Sequence, residues 1–253
     1  ELRASCFLLN CQIIISLPKE NTMKRIIISI LFILLSACST KDEKAPIKPT
    51  VIEYPTSTFV SDEIRKNSEL NELIRCTLSR DEKELKKAAT DIAMIKVISI
   101  DYSDMNFFDA APTTYGKFLV DKTIHGTIKE NSIYTYAKEG GFIPINEYEQ
   151  IRNPDFYNET TKEYRKKREN RYYNATFEPD IEIEAGKCYL ALMSFNKDKD
   201  LYAFLDMGDG LREIDLPAQK KVKHESYDLN QLNVRNNTTG DMESLKSVIE
   251  KLK

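Results

Sequence analysis

The chain has 253 residues, a formal net charge of −3 at pH 7 and a hydrophobic content of 41%. This length allows one domain with a substantial core, and the mildly acidic balance argues against a general nucleic-acid-binding protein, which would carry a surplus of Lys and Arg. The five cysteines and two histidines include no CxxC pair and no His/Cys cluster, so neither a structural zinc site nor a cofactor is predicted.

The first predicted element is a short apolar segment at residues 26–35, which follows Lys24 and Arg25. A helix that spans a bilayer needs about 20 apolar residues, so a segment this short is typical of the core of a signal peptide. It leads into four residues that resemble the lipobox of bacterial lipoproteins: Leu35, Ser36, Ala37 and Cys38. The resemblance implies cleavage before Cys38 and attachment of diacylglycerol to its thiol. An uncleaved N-terminal anchor, or an ordinary signal peptide beside a chance cysteine, is the alternative.

The assignment of the neighbouring segments follows from that interpretation. Residues 23–37 form the predicted signal peptide. Residues 1–22 are predicted to be a leader outside the native protein, because residues 19–23 can be encoded by a purine-rich ribosome-binding sequence ahead of a start codon. The protein that begins at Cys38 has a net charge of −5, since the removed residues carry +2. Two or three acyl chains anchor it stably to a bacterial membrane, and Ser39 permits sorting to the outer membrane if the cell has two membranes.

Residues 38–60 are predicted to be a tether, because they are largely polar and contain three prolines. A helical segment is predicted over residues 61–90. Ser61 is a favourable N-cap, and two acidic residues follow it in the first turn. Apolar residues then recur at helical spacing as far as Leu78, and residues 79–82 (SRDE) have the pattern of a capping box that opens a second helix.

A β domain is predicted at residues 91–216. Residues 92–100 are almost continuously apolar and β-branched, as in a strand that is buried on both faces. Further strand patterns, separated by turn signals, occur at residues 114–124, 132–137, 186–195, 201–205 and 211–216. The sequence predicts an α+β fold, mainly β, in the form of a small antiparallel barrel with N-terminal and C-terminal flanking helices.

The C-terminal segment, residues 217–253, is predicted to be a linker followed by a helix. Asp241 is a favourable N-cap for this helix. Five apolar residues behind it share one helical stripe, which we expect to pack on the barrel: Met242, Leu245, Val248, Ile249 and Leu252.

The order of three strand segments resembles the netrin/TIMP-type OB-fold. The segments read AATDIAMIKVISI, YGKFLVDKTIHGTI and AGKCYLALMSF. The resemblance extends over residues 89–216 and implies an OB-like barrel. It does not imply the protease inhibition of TIMP-like proteins, because that activity uses a free N-terminal cysteine and Cys38 is predicted to be acylated. The sequence also has His125-Gly126 where family members usually have Lys-Gly, and it lacks the family's disulfide framework.

A long insertion at residues 142–180 separates two of the predicted strands. It concentrates basic and tyrosine side chains, which suit phosphate or carboxylate groups and protein interfaces. An anionic envelope polymer, lipid headgroups or an acidic protein partner would fit them. The alternative is a solvated charged helix whose cations pair with nearby glutamates. The candidate binding residues are Tyr164, Arg165, Lys166, Lys167, Arg168, Arg171 and Tyr172.

Few other residues are candidates for chemistry. No common nucleophile, metalloprotease or nucleotide motif occurs, so no catalytic residue is assigned. His125 and His224 are the groups to examine in an envelope hydrolase, the alternative to a non-enzymatic, membrane-anchored binding module. Cys76 and Cys188 are predicted either to form a disulfide or to be buried free thiols. The turn at residues 196–200 resembles the start of a calcium loop but lacks its later ligands, which favours a hairpin turn.

Overall fold

The computed structural model of the protein describes residues 54–73, 82–108, 111–205, 208–216 and 228–252. All of them belong to the unit Thr50–Lys253. The predicted signal peptide and the predicted lipobox with Cys38 lie outside the described residues, and so do Cys76 and His224. Among the described residues, no helix has the length and apolar character needed to cross a bilayer.

Strands outweigh helices, which confirms the prediction of an α+β fold that is mainly β. The strands are β1 (Ser57–Thr58), β2 (Ser68–Glu72), β3 (Asp91–Asp104), β4 (Thr113–His125), β5 (Ile133–Glu139), β6 (Gly141–Pro144), β7 (Tyr172–Thr176), β8 (Cys188–Asn196), β9 (Leu201–Phe204), β10 (Leu211–Asp215), β11 (Asn233–Arg235) and β12 (Met242–Ser244). The α-helices are α1 (Asp62–Lys66), α2 (Glu82–Ala88), α3 (Ile145–Arg152), α4 (Pro154–Glu159), α5 (Lys162–Lys167) and α6 (Leu245–Leu252), and a 3-10 helix covers Leu229–Gln231.

The strand β3 forms where the sequence predicts a strand that is buried on both faces. Its side chains alternate between two cores, as the two-residue period of a strand requires. Ala93, Ile95 and Val97 belong to the central core. Ile92 and Met94, on the opposite face, belong to a second core beneath the helices. The strand predictions are also confirmed at β4, β5, β8, β9 and β10.

Nine strands form one sheet in the order β1-β3-β4-β5-β9-β8-β10-β11-β12. Because β3 pairs with β8 as well as with β4, the pairings β3–β4–β5–β9–β8 form a cycle that returns to β3. The pairs β1–β3 and β5–β9 are parallel, so the sheet is mixed, whereas the sequence predicts an antiparallel barrel. The insertion and β8 separate β5 from β9 along the chain, and a long connection of this kind lets two neighbouring strands run in the same direction.

The central core is rich in aromatic side chains. The fully buried ring of Phe118 on β4 lies 5.7 to 6.4 Å from the rings of four other residues: Tyr134, Tyr136, Tyr202 and Phe204. Two residues before Phe118, a Cβ atom at Gly116 would lie 1.9 Å from the carbonyl oxygen of Ser99. Glycine is therefore required where β4 approaches β3 so closely.

The second core lies between the sheet and the helices α2 and α6. Four residues of α6 are buried in it, which confirms most of the predicted C-terminal stripe: Leu245, Val248, Ile249 and Leu252. The prediction for Met242 is wrong, because this residue lies in β12 and is 48% exposed. The pairing of β12 with β11 holds Met242 extended, so the helix begins only after Ser244.

The segment before β3 differs in part from the predicted run of helices. The prediction of Ser61 as an N-cap is confirmed, since its hydroxyl accepts a hydrogen bond from the backbone N of Ile64 at 3.2 Å. The helix α1 is short, however, and Ser68–Glu72 forms a strand where a continued helix was predicted. Leu70, one of the apolar residues at helical spacing that predict the helix, is 63% exposed. The cause is non-local, because β7 offers this segment a parallel partner along all of its residues.

Residues 57–60, which the sequence assigns to the tether, join the β domain. The strand β1 pairs with β3, and the backbone N of Phe59 donates a hydrogen bond to the carbonyl oxygen of Ile100 at 2.9 Å. Val60 is buried in the central core. The chain is therefore fixed to the sheet before α1 begins.

Candidate functional site

The insertion contributes β6 and β7 to a three-stranded sheet, with three helices between them along the chain, and β2 is the third strand. The strand β7 pairs antiparallel with β6 and parallel with β2, which gives the order β2-β7-β6. The helices α3, α4 and α5 connect β6 to β7. Where the chain enters and leaves these helices, the backbone N of Ile145 donates a hydrogen bond to the carbonyl oxygen of Arg171 at 3.0 Å. The predicted binding residues therefore lie on a folded part of the protein.

The short helices of the insertion have local signals in the sequence. Pro154 begins α4. The first N–H groups of a helix have no partner within the helix, so proline, which lacks this group, costs no hydrogen bond there. Thr161 caps α5, since its hydroxyl accepts a hydrogen bond from the backbone N of Tyr164 at 3.2 Å. The helix α5 ends at Lys167, and Arg168 follows as its C-cap. The basic cluster predicted from sequence thus lies on one short helix and in the turn after it.

Arg168 is held between a carboxylate and an aromatic ring. Its Nη1 atom lies 2.7 Å from Oε1 of the buried Glu149, and its guanidinium carbon lies 4.5 Å from the centre of the Tyr164 ring. The Tyr164 ring in turn meets the ring of Phe156 edge-on, with 6.0 Å between their centres. Phe156 is 49% exposed. We call these four residues the aromatic–arginine ladder: Phe156, Tyr164, Arg168 and Glu149.

Other predicted cations also have partners within the protein. The guanidinium carbon of Arg165 lies 5.1 Å from the centre of the Tyr157 ring. The Nη2 atom of Arg171 lies 3.3 Å from Oε2 of Glu69 on β2. Lys167 forms an exposed ion pair with the glutamate four residues earlier on α5. Internal pairing, the alternative interpretation of this cluster, therefore accounts for much of its charge.

The surface charge that remains on the insertion is small. Residues 145–171 contain seven Lys and Arg against six Asp and Glu, a net charge of +1. Lys166 is exposed, and none of the ion pairs found among the described residues involves it. Tyr172 is half-buried in β7, where its backbone N donates to the carbonyl oxygen of Asn67 at 3.1 Å. Of the predicted binding residues, Tyr164 and Arg168 therefore belong to the ladder, whereas Tyr172 lies in the three-stranded sheet.

We expect Arg168→Ala to lower the free energy of unfolding by about 2–3 kcal/mol, because Glu149 would remain buried without its cation. The matched control is Lys167→Ala, which removes an exposed ion pair and should change the free energy by less than about 0.5 kcal/mol. Urea unfolding followed by circular dichroism measures both. Equal effects of the two substitutions would show that the ion pair of Arg168 has no structural role.

A small cavity lies where the insertion meets the central core. Its lining includes Thr114, Lys138, Asn174 and Asp180. Its volume of about 30 Å³ suits one or two water molecules. The Oδ1 atom of Asn174 is buried and has no hydrogen-bond partner among the described residues, as expected of a group that binds an internal water. We therefore interpret this cavity as a hydration site.

Neither His125 nor the calcium-like turn at residues 196–200 lines that cavity. His125 is exposed at the end of β4. The residues between β8 and β9 form the predicted hairpin turn, in which Oδ1 of Asn196 accepts hydrogen bonds from the backbone N atoms of Asp198 and Lys199. Within the described ranges, no group of His, Cys, Asp and Glu side chains is arranged to hold a metal ion.

Cys188 is buried at the start of β8 and carries a free thiol. Burial, together with the Asp121 carboxylate 3.9 Å away, raises the pKa of this thiol to about 12. Such a thiol stays protonated at neutral pH and is a poor nucleophile. Cys76, the other half of the predicted disulfide, lies outside the described residues.

A second exposed aromatic surface lies on β3 and β4 and is not predicted by the sequence. Tyr102 on β3 and Tyr115 on β4 are stacked, with 4.7 Å between ring centres and 20° between ring planes. Tyr102 is 50% exposed, whereas Tyr115 is buried. The only signal in the sequence is an aromatic residue between acidic residues, IDYSD, after a buried strand. Its pairing with Tyr115 depends on the register of two strands, which a local pattern does not contain. We call Tyr102 and Tyr115 the tyrosine platform.

In comparisons with known proteins, no family model, no curated protein and no solved structure matches the chain. The ladder and the platform are therefore interpreted from their own geometry and chemistry.

Proposed function

We propose that the protein is a lipid-anchored binding module of the bacterial cell envelope. The lipobox-like residues that follow the short apolar segment support the anchor: Leu35, Ser36, Ala37 and Cys38. Acyl chains on Cys38 hold the protein at a membrane surface, which is that of the outer membrane if the cell has two membranes. Residues 39–55, polar and with three prolines, serve as the tether.

The β domain of this module is, in our proposal, an OB-like barrel. The cycle β3–β4–β5–β9–β8 supports it, because an OB barrel has five strands. The three segments that resemble the netrin/TIMP-type OB-fold fall on β3, β4 and β8, all within this cycle. Barrels of this kind serve as scaffolds for many ligands, so the ligand has to be argued from a surface rather than from the fold.

The aromatic–arginine ladder is the observation that carries the binding role. Contacts with Tyr164 and Glu149 fix the Arg168 side chain, so little conformational entropy is lost when a ligand binds beside it. Phe156 offers a half-exposed ring at one end of the ladder, and the exposed Lys166 adds a cation on α5. An anionic polymer of the envelope suits a surface that combines guanidinium, ammonium and aromatic groups.

Photo-crosslinking on intact cells tests this proposal. We expect a benzophenone amino acid in place of Phe156 to capture one recurrent partner. The double variant Lys162→Glu/Lys166→Glu reverses two exposed charges on α5 but leaves the ion pair of Arg168 intact. Because like charges in an interface cost several kcal/mol, we expect it to reduce the capture at least about tenfold.

Met242 provides the matched probe site, because it is exposed to the same extent as Phe156 but lies in β12, outside the insertion. The same partner captured from Met242, or capture at Phe156 that survives the charge reversal, would contradict recognition by the ladder. A protein found as the partner would replace the polymer by an acidic protein ligand. Absence of any crosslink at Phe156 would make the insertion a solvated structural element.

A further inference from the structure

The strand β2 forms one edge of the three-stranded sheet. Among the described residues its only strand partner is β7. At the end of this pairing, the backbone N of Leu73 donates a hydrogen bond to the carbonyl oxygen of Thr176 at 2.8 Å. A strand bonds each neighbour through alternate residues. Ser68, Leu70 and Glu72 therefore turn their backbone N–H and C=O groups to the side away from β7.

Leu70 is exposed on the side of the sheet that faces the central core. The strand register places it in one row with Asn174 of β7 and Phe142 of β6. Phe142 is buried in the central core, whereas Leu70 is 63% exposed. Leu70 therefore lies in line with the core but beyond its end. Its apolar surface would leave water if the sheet continued past β2.

The sequence of β2 is complementary to itself in one antiparallel register. In this register Leu70 lies opposite Leu70 of a second copy, and Ser68 lies opposite Glu72. Glu69 lies opposite Asn71, whose side-chain amide is a donor for a carboxylate. Charged residues on an edge strand normally discourage pairing with another chain. Here no glutamate faces a glutamate, so the repulsion between like charges on opposite strands is avoided.

The neighbouring registers are less favourable. Two antiparallel strands join only where backbone groups that point outward from one meet those that point outward from the other. A pair centred on Glu69 sets two like charges opposite each other, and a pair centred on Asn71 leaves only three residues of β2 paired. The register centred on Leu70 joins all five residues of β2 through about six backbone hydrogen bonds.

We propose that β2 pairs antiparallel with β2 of a second copy of this chain, with Leu70 at the two-fold axis. The self-complementary sequence favours a second copy over an unrelated strand, because a two-fold contact uses the same surface on both partners. The two sheets then form one sheet of six strands, in the order β6-β7-β2-β2-β7-β6.

The pairing uses no residue of the aromatic–arginine ladder, so it can be tested independently of the proposed function. Its consequence for binding rests on that function. A pair of chains carries two ladders, and a polymer with repeated anionic groups can occupy both. The second contact is then intramolecular, which raises the overall affinity without any new type of contact.

Disulfide trapping between full chains tests the pairing and its register. Opposite residues of a hydrogen-bonded pair have Cα atoms about 5.5 Å apart, which is within the range of a disulfide. Single cysteines are introduced into the Cys76→Ser chain, which lacks the native thiol nearest to β2 in the sequence. The variants are purified in an excess of detergent micelles and oxidised with copper phenanthroline. We expect Leu70→Cys to form an intermolecular disulfide, and Ser68→Cys and Glu72→Cys to do so only when mixed. The control, Tyr102→Cys on the tyrosine platform, is 50% exposed and should not exceed the background of the Cys76→Ser chain.

A charge exchange tests the same contact in the otherwise native chain. Leu70→Lys sets two cations opposite each other at the axis, and Leu70→Glu sets two anions. Because Leu70 is exposed, neither substitution should disturb the fold. In co-purification of two differently tagged copies, we expect each variant alone to lose association roughly tenfold and a mixture of the two to regain it. Ile133→Lys, at a position that is 45% exposed on β5, is the matched control and should associate as the native chain does.

Several results would overturn the pairing. They include a Leu70→Cys chain that is trapped no better than the background, and a Ser68→Cys chain that is trapped equally well on its own. A mixture of Leu70→Lys and Leu70→Glu that stays apart would exclude the contact at the axis. If native copies never co-purify, this edge is covered within the chain or by water. A benzophenone amino acid in place of Leu70 that captures only another protein in intact cells would assign the edge to that protein. Each of these results would leave the test at Phe156, and with it the proposed function, unaffected.

Discussion

Cys38→Ala is expected to abolish the incorporation of fatty acid into the protein. Cys38 is the cysteine of the lipobox-like residues, and attachment of diacylglycerol through a thioether would require its thiol. Cells grown with alkyne-tagged palmitate should label the native protein strongly and the variant not at all. The variant should also have a higher mass, because cleavage before residue 38 depends on the lipidated cysteine.

The matched control is Cys188→Ala, which removes a buried thiol of β8 and leaves the lipobox unchanged. We expect this control to be labelled as strongly as the native protein. Equal labelling of the Cys38→Ala variant would refute the lipid anchor. Loss of label without a change in mass would mean that cleavage does not occur before Cys38.

Phe118→Ala is expected to be the most damaging single substitution in the β domain. The Phe118 ring is fully buried and contacts aromatic rings from β5 and β9. Truncation would leave a large cavity that such rigid neighbours cannot fill. We expect a loss of about 3–5 kcal/mol in the free energy of unfolding, and therefore a fall in Tm of roughly 6–20 °C.

Ile133→Ala is the control for this experiment, because Ile133 lies on the neighbouring strand β5 and is 45% exposed. It should change the free energy of unfolding by less than about 1 kcal/mol. Thermal and urea unfolding, followed by circular dichroism, measure both variants. A loss below about 1 kcal/mol for Phe118→Ala would mean that the aromatic cluster is loosely packed.

Local sequence patterns were sufficient for six of the nine strands of the main sheet, which are β3, β4, β5, β8, β9 and β10. A run as apolar as residues 92–100 has no polar face to offer to water, so it is expected to be buried on both sides, and this part of β3 is. Turn residues fixed the ends of several other strands. The hairpin between β8 and β9 was predictable in the same way, since Asn196 forms its turn through bonds to nearby backbone atoms.

The errors occurred where a distant segment decides the local structure. Residues 68–72 become β2 because β7, far along the chain, supplies backbone partners for them. Met242 is extended because β11 pairs with it, although its spacing fits the helical stripe that follows. Neither pairing leaves a signal in the immediate sequence, and helical spacing alone cannot reveal it.

The residue types of the candidate site were predictable from the sequence, but their arrangement in space was not. The cluster of cations on α5 is visible in the sequence. Glu149, the internal partner of Arg168, is one of several acidic residues nearby in the sequence. Only the packing of α3 against the residues after α5 brings Glu149 next to Arg168. Tyr102 was missed for a similar reason, because the register of β3 and β4 creates its stack with Tyr115.

The pairing of β1 and β2 has a mechanical consequence for a protein held by its N-terminal side. Tension that arrives along the chain meets β1 first, which is joined to β3 over two residues. It then meets β2, which is joined to β7 over five. The ladder of β2 covers more residues than that of β1, so more hydrogen bonds must break before it separates. A pull on this chain would therefore release β1 while the sheet that carries the insertion still holds.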